Sequence, residues 1–153
     1  MKNRKRKIFV LKKESYLQMI KNSVGTKMFC RLYASVDGKR QDILQDGNVS
    51  CAYFISSILL IFGLIKKVHA TVDGTIEDMK KSGWRRIKSP KLGSVLVWEK
   101  QKLGEDKHSH IGFYTGYKKA ISNSSVQRTP VEHSFTFGGK RRIKAVYWHK
   151  NLD

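Results

Sequence analysis

The sequence has few cysteines and few prolines. Its 153 residues include only 2 Cys and 2 Pro. Cys30 and Cys51 are too few for a disulfide framework, so we expect both thiols to be free. No internal repeat and no Pro- or Gly-rich linker divides the chain. A chain of this length fits one ordinary domain, and we expect a single domain over residues 1–153.

Long hydrophobic runs are also missing. The longest, over 52–65, is 14 residues, short of the roughly 18 to 20 that a membrane-spanning helix needs. It predicts a buried core helix, and we expect no transmembrane segment. The apolar stretch at 8–11 is too short for the core of a signal peptide and is followed at once by two lysines. No secretion signal is therefore evident, and the default expectation is a cytoplasmic protein.

Acidic residues are scarce in this chain. There are 12 Asp and Glu against 31 Lys and Arg, which gives a formal net charge of +19. Such an excess predicts attraction to a polyanion, whether nucleic acid, an anionic cell-wall polymer or an anionic lipid surface. The charge is spread along the chain and indicates a basic surface. We also expect residues 1–13 to form a basic, flexible N-terminal segment.

The hydrophobic pattern is helical before Gly83 and strand-like after it. Helical spacing predicts a first helix over 14–23, and an all-round apolar segment predicts a buried helix headed by Cys51. A capping box at 75–78 predicts a third helix that stops at Gly83. Alternating segments predict strands at 94–98, 110–115, 118–123, 133–137 and 142–148.

Glycine turns separate several of the predicted strands. Gly116 and Gly138 both lie between neighbouring segments, and a tight turn between neighbours requires antiparallel pairing. Helices followed by strands are typical of the α+β class. We therefore expect an α+β fold in which N-terminal helices pack on a mainly antiparallel sheet of about five strands.

One cysteine and one histidine are candidates for chemistry. Cys51 heads the apolar helix, where unpaired N–H groups and the positive end of the helix dipole would stabilise a thiolate and lower its pKa. Most lone cysteines, however, are small buried hydrophobes. His110 opens a predicted strand and fits the base that a thiol nucleophile needs. From residue type and position alone, Cys51 and His110 fit either a catalytic pair or two separate structural roles.

Four blocks of sequence resemble the NlpC/P60 and CHAP group of papain-like cysteine peptidases and amidases. They are DGNVSCAYFIS at 46–56, GW at 83–84, PKLGSVLVW at 90–98 and HIGFYTG at 110–116. Their order is that of the family, in which a cysteine heads a core helix and a later strand supplies the histidine base. The resemblance covers roughly residues 45–125 and implies a divergent member with a papain-like fold.

The resemblance implies a cysteine hydrolase with Cys51 as nucleophile and His110 as general base. Family members usually carry a His, Asn or Gln on the next strand. Ser122 occupies that position by counting, but Asn123 has the side chain suited to orient an imidazole. We therefore expect Asn123 in this role, with His133 and Ser122 as the alternatives.

The resemblance also implies an oxyanion site before the helix. The backbone N–H of Cys51 is the natural donor, and a side chain from the preceding loop would support it. Gln45 lies six residues upstream of Cys51, at a spacing like that of the papain-type glutamine, and Ser50 directly precedes the nucleophile. We expect these two side chains to support the site.

The implied substrate is a peptide or cell-wall peptide, with the basic surface docking on an anionic polymer. No metal-ligand spacing and no glycine-rich phosphate loop occurs, so we expect no metal and no cofactor. A different class of function also fits the charge: a basic module that binds nucleic acid or another polyanion on an inactive papain-like scaffold. Acyl transfer or ester cleavage by the same pair likewise stays open.

Overall fold

Three α-helices lie among the residues that the computed structural model describes, which are 5–103 and 106–153. They are α1 (Lys12–Asn22), α2 (Cys51–Ile61) and α3 (Val72–Lys81). All three precede the main sheet along the chain, so the expected α+β class is confirmed. Within the described ranges no helix is both long enough and apolar enough to cross a membrane.

The strands form a hairpin and one larger sheet. They are β1 (Tyr33–Val36), β2 (Lys39–Asp42), β3 (Arg85–Ile87), β4 (Val95–Leu103), β5 (Asp106–Gly116), β6 (Lys119–Asn123), β7 (Pro130–Ser134) and β8 (Ile143–Trp148). β1 and β2 pair with each other. In the described residues the other six form a sheet in the order β3-β8-β4-β5-β6-β7, and every pairing is antiparallel.

The expected number of about five strands was therefore too low. β3 is only three residues long and starts with two exposed arginines, so it gives no alternating apolar signal. The hairpin strand β2 has the sequence KRQD, which is polar throughout. Sequence patterns detect strands by a buried face, and these short edge and hairpin strands do not have one.

The start of α3 was also predicted wrongly. Thr71, not Thr75, caps the helix, because its Oγ1 accepts a hydrogen bond from the N–H of Gly74 at 3.1 Å. Thr75 lies inside the helix and is fully buried. Glu77 forms an i,i+4 ion pair with Lys81 at 2.6 Å and takes no part in a capping box.

Two other boundaries differ from the expected ones. α1 begins at Lys12, so the last two residues of the expected N-terminal segment 1–13 are helical, while 5–11 have no regular secondary structure. Strand β7 covers Pro130–Ser134, where 133–137 was expected. The later residues leave the sheet because Phe137 has a φ of +53° and turns the chain.

The helices pack on one face of the large sheet. Phe54 of α2 and Tyr16 of α1 both contact Phe113 of β5 edge to face, with ring centroids 5.5 and 5.6 Å apart. Side chains alternate along a strand, so Ile111 points to the helices while His110 points to the opposite face. That opposite face carries a second apolar cluster around Trp98.

Candidate active site

A cavity of about 500 Å³ lies at the first turn of α2, and both Cys51 and His110 line it. Its walls come from the loop before α2, the start of α3, strands β5, β6 and β7, and the loop before β8. The structure thus brings the two candidate catalytic residues to one site although 59 positions separate them in the sequence.

The thiol of Cys51 lies near three backbone N–H groups. Those of Ile111, Ala52 and Cys51 itself favour its ionised form. Burial acts more strongly in the opposite direction, and the pKa of Cys51 is raised above its ordinary value. The lowered pKa expected from the helix terminus is therefore wrong for the free protein, because the thiol is too well shielded from water.

The loop before α2 is held by a glycine and an asparagine. Gly47 has a φ of +87°, and a Cβ at this position would lie 2.7 Å from the carbonyl oxygen of Arg128. Its own carbonyl accepts a hydrogen bond of 2.8 Å from Nδ2 of Asn123. These contacts fix the chain that leads into Cys51.

Neither of the predicted oxyanion side chains lines the cavity. Gln45 is exposed, and its Oε1 accepts a hydrogen bond from Nδ2 of Asn48 at 3.1 Å. Ser50 is fully buried, and its hydroxyl has no hydrogen-bond partner in the described structure. Asn48, which sequence reasoning missed, lines the cavity instead. Among the side chains of the preceding loop that line the cavity, its amide is the donor closest in sequence to the start of the helix.

The imidazole of His110 is half-buried between polar and aromatic partners. Its Nε2 lies 2.8 Å from Oγ of Ser122. Its ring packs against Trp98, at a centroid distance of 5.3 Å, and against Phe137, at 5.8 Å. Burial, together with the nearby charges of Arg141 and His133, lowers the pKa of His110 to about 3. The ring is therefore neutral at ordinary pH.

Ser122, and not Asn123, contacts the base. Oγ of Ser122 also lies 2.7 Å from Nε2 of His133, so this hydroxyl bridges the two imidazoles. Asn123 is next to Ser122 in β6 and points to the other face of the sheet, where it bonds to Gly47. The expectation that Asn123 orients His110 is corrected to Ser122, the residue that counting along the strand gives.

A second glycine makes room for this bridge. Gly112 follows His110 by two residues and faces the same side of β5. A Cβ on Gly112 would lie 2.8 Å from Cβ of Ser122 and 2.8 Å from the ring of Trp98. The missing side chain allows the serine and the tryptophan to reach the imidazole together.

Arg141 is a site residue that the sequence did not indicate. Its guanidinium donates to the backbone carbonyls of Glu99, at 3.1 Å, and of His108, at 2.8 Å, and it lines the cavity. Burial lowers its pKa, and its positive charge in turn favours the ionised form of Cys51. It precedes β8 in a basic stretch, GGKRRIK, in which no pattern distinguishes one arginine from the next.

No metal site accompanies this cavity in the described ranges, since no three His, Cys, Asp or Glu side chains lie together there in a way that could hold an ion. Comparison with models of known protein families found no match to this chain, and comparison with curated proteins found none either.

Proposed function

We propose that this protein is a cysteine hydrolase that cleaves an amide bond, with Cys51 as nucleophile and His110 as general base. One observation carries the proposal. A thiol near three backbone N–H groups shares a cavity with a neutral imidazole whose Nε2 lies within hydrogen-bond distance of Oγ of Ser122. A nucleophile, a base and a group that holds the base are the minimum set for covalent thiol catalysis.

The chemistry proceeds in two stages. In the first, His110 takes the proton of the Cys51 thiol as the sulfur attacks the amide carbonyl carbon. The N–H groups at the start of α2 stabilise the oxyanion, and His110 then gives the proton to the leaving amine as the C–N bond breaks. In the second, water attacks the resulting thioester, which releases the carboxylic acid and restores the thiol.

The protonation states at rest suit a base that acts only when substrate binds. The pKa of the Cys51 thiol is raised and that of His110 is lowered, so both groups are neutral at ordinary pH. The resting site therefore holds a neutral thiol and a neutral imidazole, and not a thiolate–imidazolium ion pair. Proton transfer accompanies the attack, and the developing negative charge meets the N–H groups and Arg141.

We place the chain among papain-like hydrolases of the NlpC/P60 type. The support is the order of its parts: a helix headed by the cysteine, then an antiparallel sheet whose strand β5 carries the histidine and whose neighbour β6 carries its partner. This arrangement fits the blocks of sequence that resemble that group. A serine in the third position is unusual for it, which fits a divergent member.

The charge of the cavity supports an anionic peptide, such as a cell-wall peptide, as the substrate. Among its described lining residues, three are Lys or Arg and one, Asp73, is acidic. Arg141 is bonded to carbonyl oxygens, and no carboxylate of the described residues lies within salt-bridge distance of it. Its cation would pair with a substrate carboxylate beside the scissile amide.

The proposal is tested by trapping the acyl-enzyme. The protein is incubated with soluble peptidoglycan fragments and with synthetic acidic peptides, and new amino groups and the mass of the protein are followed. We expect release of amine and a transient thioester on Cys51, both abolished in Cys51→Ala. Cys30→Ala is the matched control, because that thiol donates to the Arg128 carbonyl and lies outside the cavity.

The rival function, a basic polyanion-binding module, makes the opposite prediction for the same variants. Salt-dependent binding to DNA or RNA with no turnover of any peptide would support the rival, and the binding would be equal in Cys51→Ala and the natural protein. Turnover that persists in Cys51→Ala would contradict the hydrolase.

A further inference from the structure

A continuous hydrogen-bonded chain runs from the backbone of β7 to the imidazole of His110. Nδ1 of His133 lies 2.7 Å from the carbonyl oxygen of Ser134. Nε2 of His133 lies 2.7 Å from Oγ of Ser122, and that oxygen lies 2.8 Å from Nε2 of His110. All three distances are those of good hydrogen bonds.

The carbonyl at one end gives the chain a direction. A carbonyl oxygen only accepts, so Nδ1 of His133 must carry a proton. A neutral imidazole has one N–H, so Nε2 of His133 is an acceptor and Ser122 donates its hydroxyl proton to it. Ser122 has no second proton to donate. Nε2 of His110 must therefore be the donor to Ser122, and Nδ1 of His110 is left with its lone pair.

We propose that His133 is a positioning residue which, through Ser122, fixes the proton of His110 on Nε2 and leaves Nδ1 as the base for the Cys51 thiol. This inference rests on the proposed function. The role differs from that of a third residue in direct contact with the base, because His133 acts through a hydroxyl. It assigns a function to two side chains on adjacent strands, Ser122 of β6 and His133 of β7, and to the Ser134 carbonyl behind them.

The same chain inactivates the site when His133 gains a proton. An imidazolium has no lone pair, so Nε2 of His133 would donate to Ser122, and Ser122 would then donate to Nε2 of His110. The proton of neutral His110 would move to Nδ1, which could no longer accept from a thiol. Acid would therefore reverse the hydrogen bonds that link His133, Ser122 and His110, while His110 itself would stay neutral.

The charged neighbours of His133 set where this reversal occurs. Glu132 on the same strand favours the protonated ring, but Lys119 of β6 pairs with that carboxylate at 2.8 Å. His110 of β5 and Arg141 before β8 also line the cavity, and Arg141 disfavours a positive charge on His110. Burial outweighs the favourable contributions and lowers the pKa of His133, so the ring is neutral at physiological pH.

The first test reads the tautomers directly in the free protein. Nitrogen-15 NMR of the imidazole rings separates a protonated nitrogen from one with a lone pair, and His110→Gln and His133→Phe assign the two sets of signals. At neutral pH we expect the proton on Nε2 of His110 and on Nδ1 of His133. In His133→Phe we expect His110 to populate both tautomers. A proton on Nδ1 of His110 in the natural protein, or an unchanged His110 in His133→Phe, would overturn the inference.

The second test uses turnover of the acidic peptides. His133→Phe keeps a flat ring next to Phe137 but removes the acceptor. We expect it to lower kcat/KM by roughly 10- to 100-fold, by analogy with the partners that orient metal-ligating histidines. His133→Gln restores an acceptor that does not titrate. It should recover part of this loss and move the acid limb of the pH profile down to the pKa of His110, about 3. Equal losses in both variants with the acid limb unmoved would contradict the inference.

The two tests separate this inference from the proposed function. The tautomers are measured without any substrate, so they stand even where no peptide is cleaved. If an acyl-enzyme forms on Cys51 while the tautomers are the reverse of those expected, only the role of His133 fails. If the tautomers are as expected and no acyl-enzyme forms with any peptide, the hydrolase fails and the hydrogen-bonded chain remains.

Discussion

Asn123 donates a hydrogen bond from Nδ2 to the carbonyl oxygen of Gly47 across 2.8 Å. The contact joins the end of β6 to the loop that leads into α2, 76 residues away in the sequence. It holds the loop that leads into Cys51, and Asn123 itself lines the cavity. Asn123 thus supports the nucleophile's side of the site, while its neighbour Ser122 supports the base.

Replacing Asn123 by alanine should therefore destabilise the protein without changing the His110 imidazole. The buried carbonyl of Gly47 would lose its donor, and an unsatisfied buried group of this kind costs about 1–3 kcal/mol. We expect the free energy of unfolding, measured by urea denaturation, to fall by that amount. The tautomer of His110, read by NMR, should not change.

Lys119→Ala is a matched control on the same strand, because Lys119 is exposed and makes only a surface ion pair with Glu132. Exposed pairs contribute about 0–1 kcal/mol, so this variant should be close to the natural protein in stability. If Asn123→Ala is as stable as the natural protein and the His110 tautomer shifts, then Asn123 orients the His110 imidazole. That result would contradict the assignment of this role to Ser122.

The sequence predicted that Asn123 contacts His110, but Ser122 does so in the structure. The strand was predictable from the sequence, and the face on which each side chain lies was not. The pattern of β6 predicted a strand here, and residue type favoured the amide over the hydroxyl. Side chains alternate between the two faces of a strand, so a difference of one position reverses the direction of the side chain. Register depends on the neighbouring strands, which single-sequence patterns do not describe.

Other parts of the site were predictable for physical reasons. The apolar run after Cys51 has no polar face, and such a segment has to be buried on several sides. The alternation of side chains after His110 likewise predicts a strand with one buried face. Arg141 and Asn48 gave no such signal, because each comes from a loop whose position is decided by contacts distant in sequence. Long-range contacts of this kind are set by the whole fold.

Arg141 should affect both the thiol and the choice of substrate. Its charge favours the ionised form of Cys51, so Arg141→Gln should raise the thiol pKa further and slow alkylation by iodoacetamide at any given pH. We expect KM for acidic peptides to rise about tenfold, the usual size of one lost charged contact of roughly 1.4 kcal/mol. KM for the corresponding neutral peptide amides should change much less.

Arg142→Gln is the control for this experiment. Arg142 is the next residue, carries the same charge and is exposed outside the lining of the cavity. It should leave both the alkylation rate and the preference for acidic peptides as they are. Equal effects of the two variants would show that net charge, and not a local contact of Arg141, governs binding.

Gly112 should tolerate no side chain. In Gly112→Ala the new methyl group would lie 2.8 Å from Cβ of Ser122 and from the Trp98 ring. Overpacking of this kind costs about 1–3 kcal/mol, and the least costly relief moves Ser122 away from His110. We expect lower stability in urea and a larger loss of peptide turnover than the loss of stability explains.

A second substitution separates the two effects of Gly112→Ala. Changing Ser122 to glycine in the same protein removes one of the three clashing atoms, leaving the Trp98 ring and the carbonyl oxygen of Ile121, and should recover part of the stability. It also removes the hydroxyl that contacts His110, so turnover should not recover with it. Recovery of turnover in the double variant would show that Ser122 is dispensable.

The raised pKa of Cys51 predicts how its reactivity depends on pH. Because burial favours the neutral thiol, the rate of alkylation by iodoacetamide should rise with pH to a midpoint above the ordinary value of about 8.5. Peptide hydrolysis should behave differently, since His110 removes the proton only as substrate is attacked. His110 itself stays neutral until its pKa of about 3 is reached, so turnover should persist at neutral pH where alkylation is slow.

The measurement is made in Cys30→Ala, so that Cys51 is the only thiol of the chain, and alkylation and turnover are followed over the same pH range. A midpoint well below 8.5 would indicate a thiolate already formed at rest, and the shielding by burial would then be wrong. Turnover that rises in parallel with alkylation would show that thiolate formed before substrate binds is the reacting species. Turnover at neutral pH with little alkylation is the result that a neutral thiol beside a neutral imidazole requires.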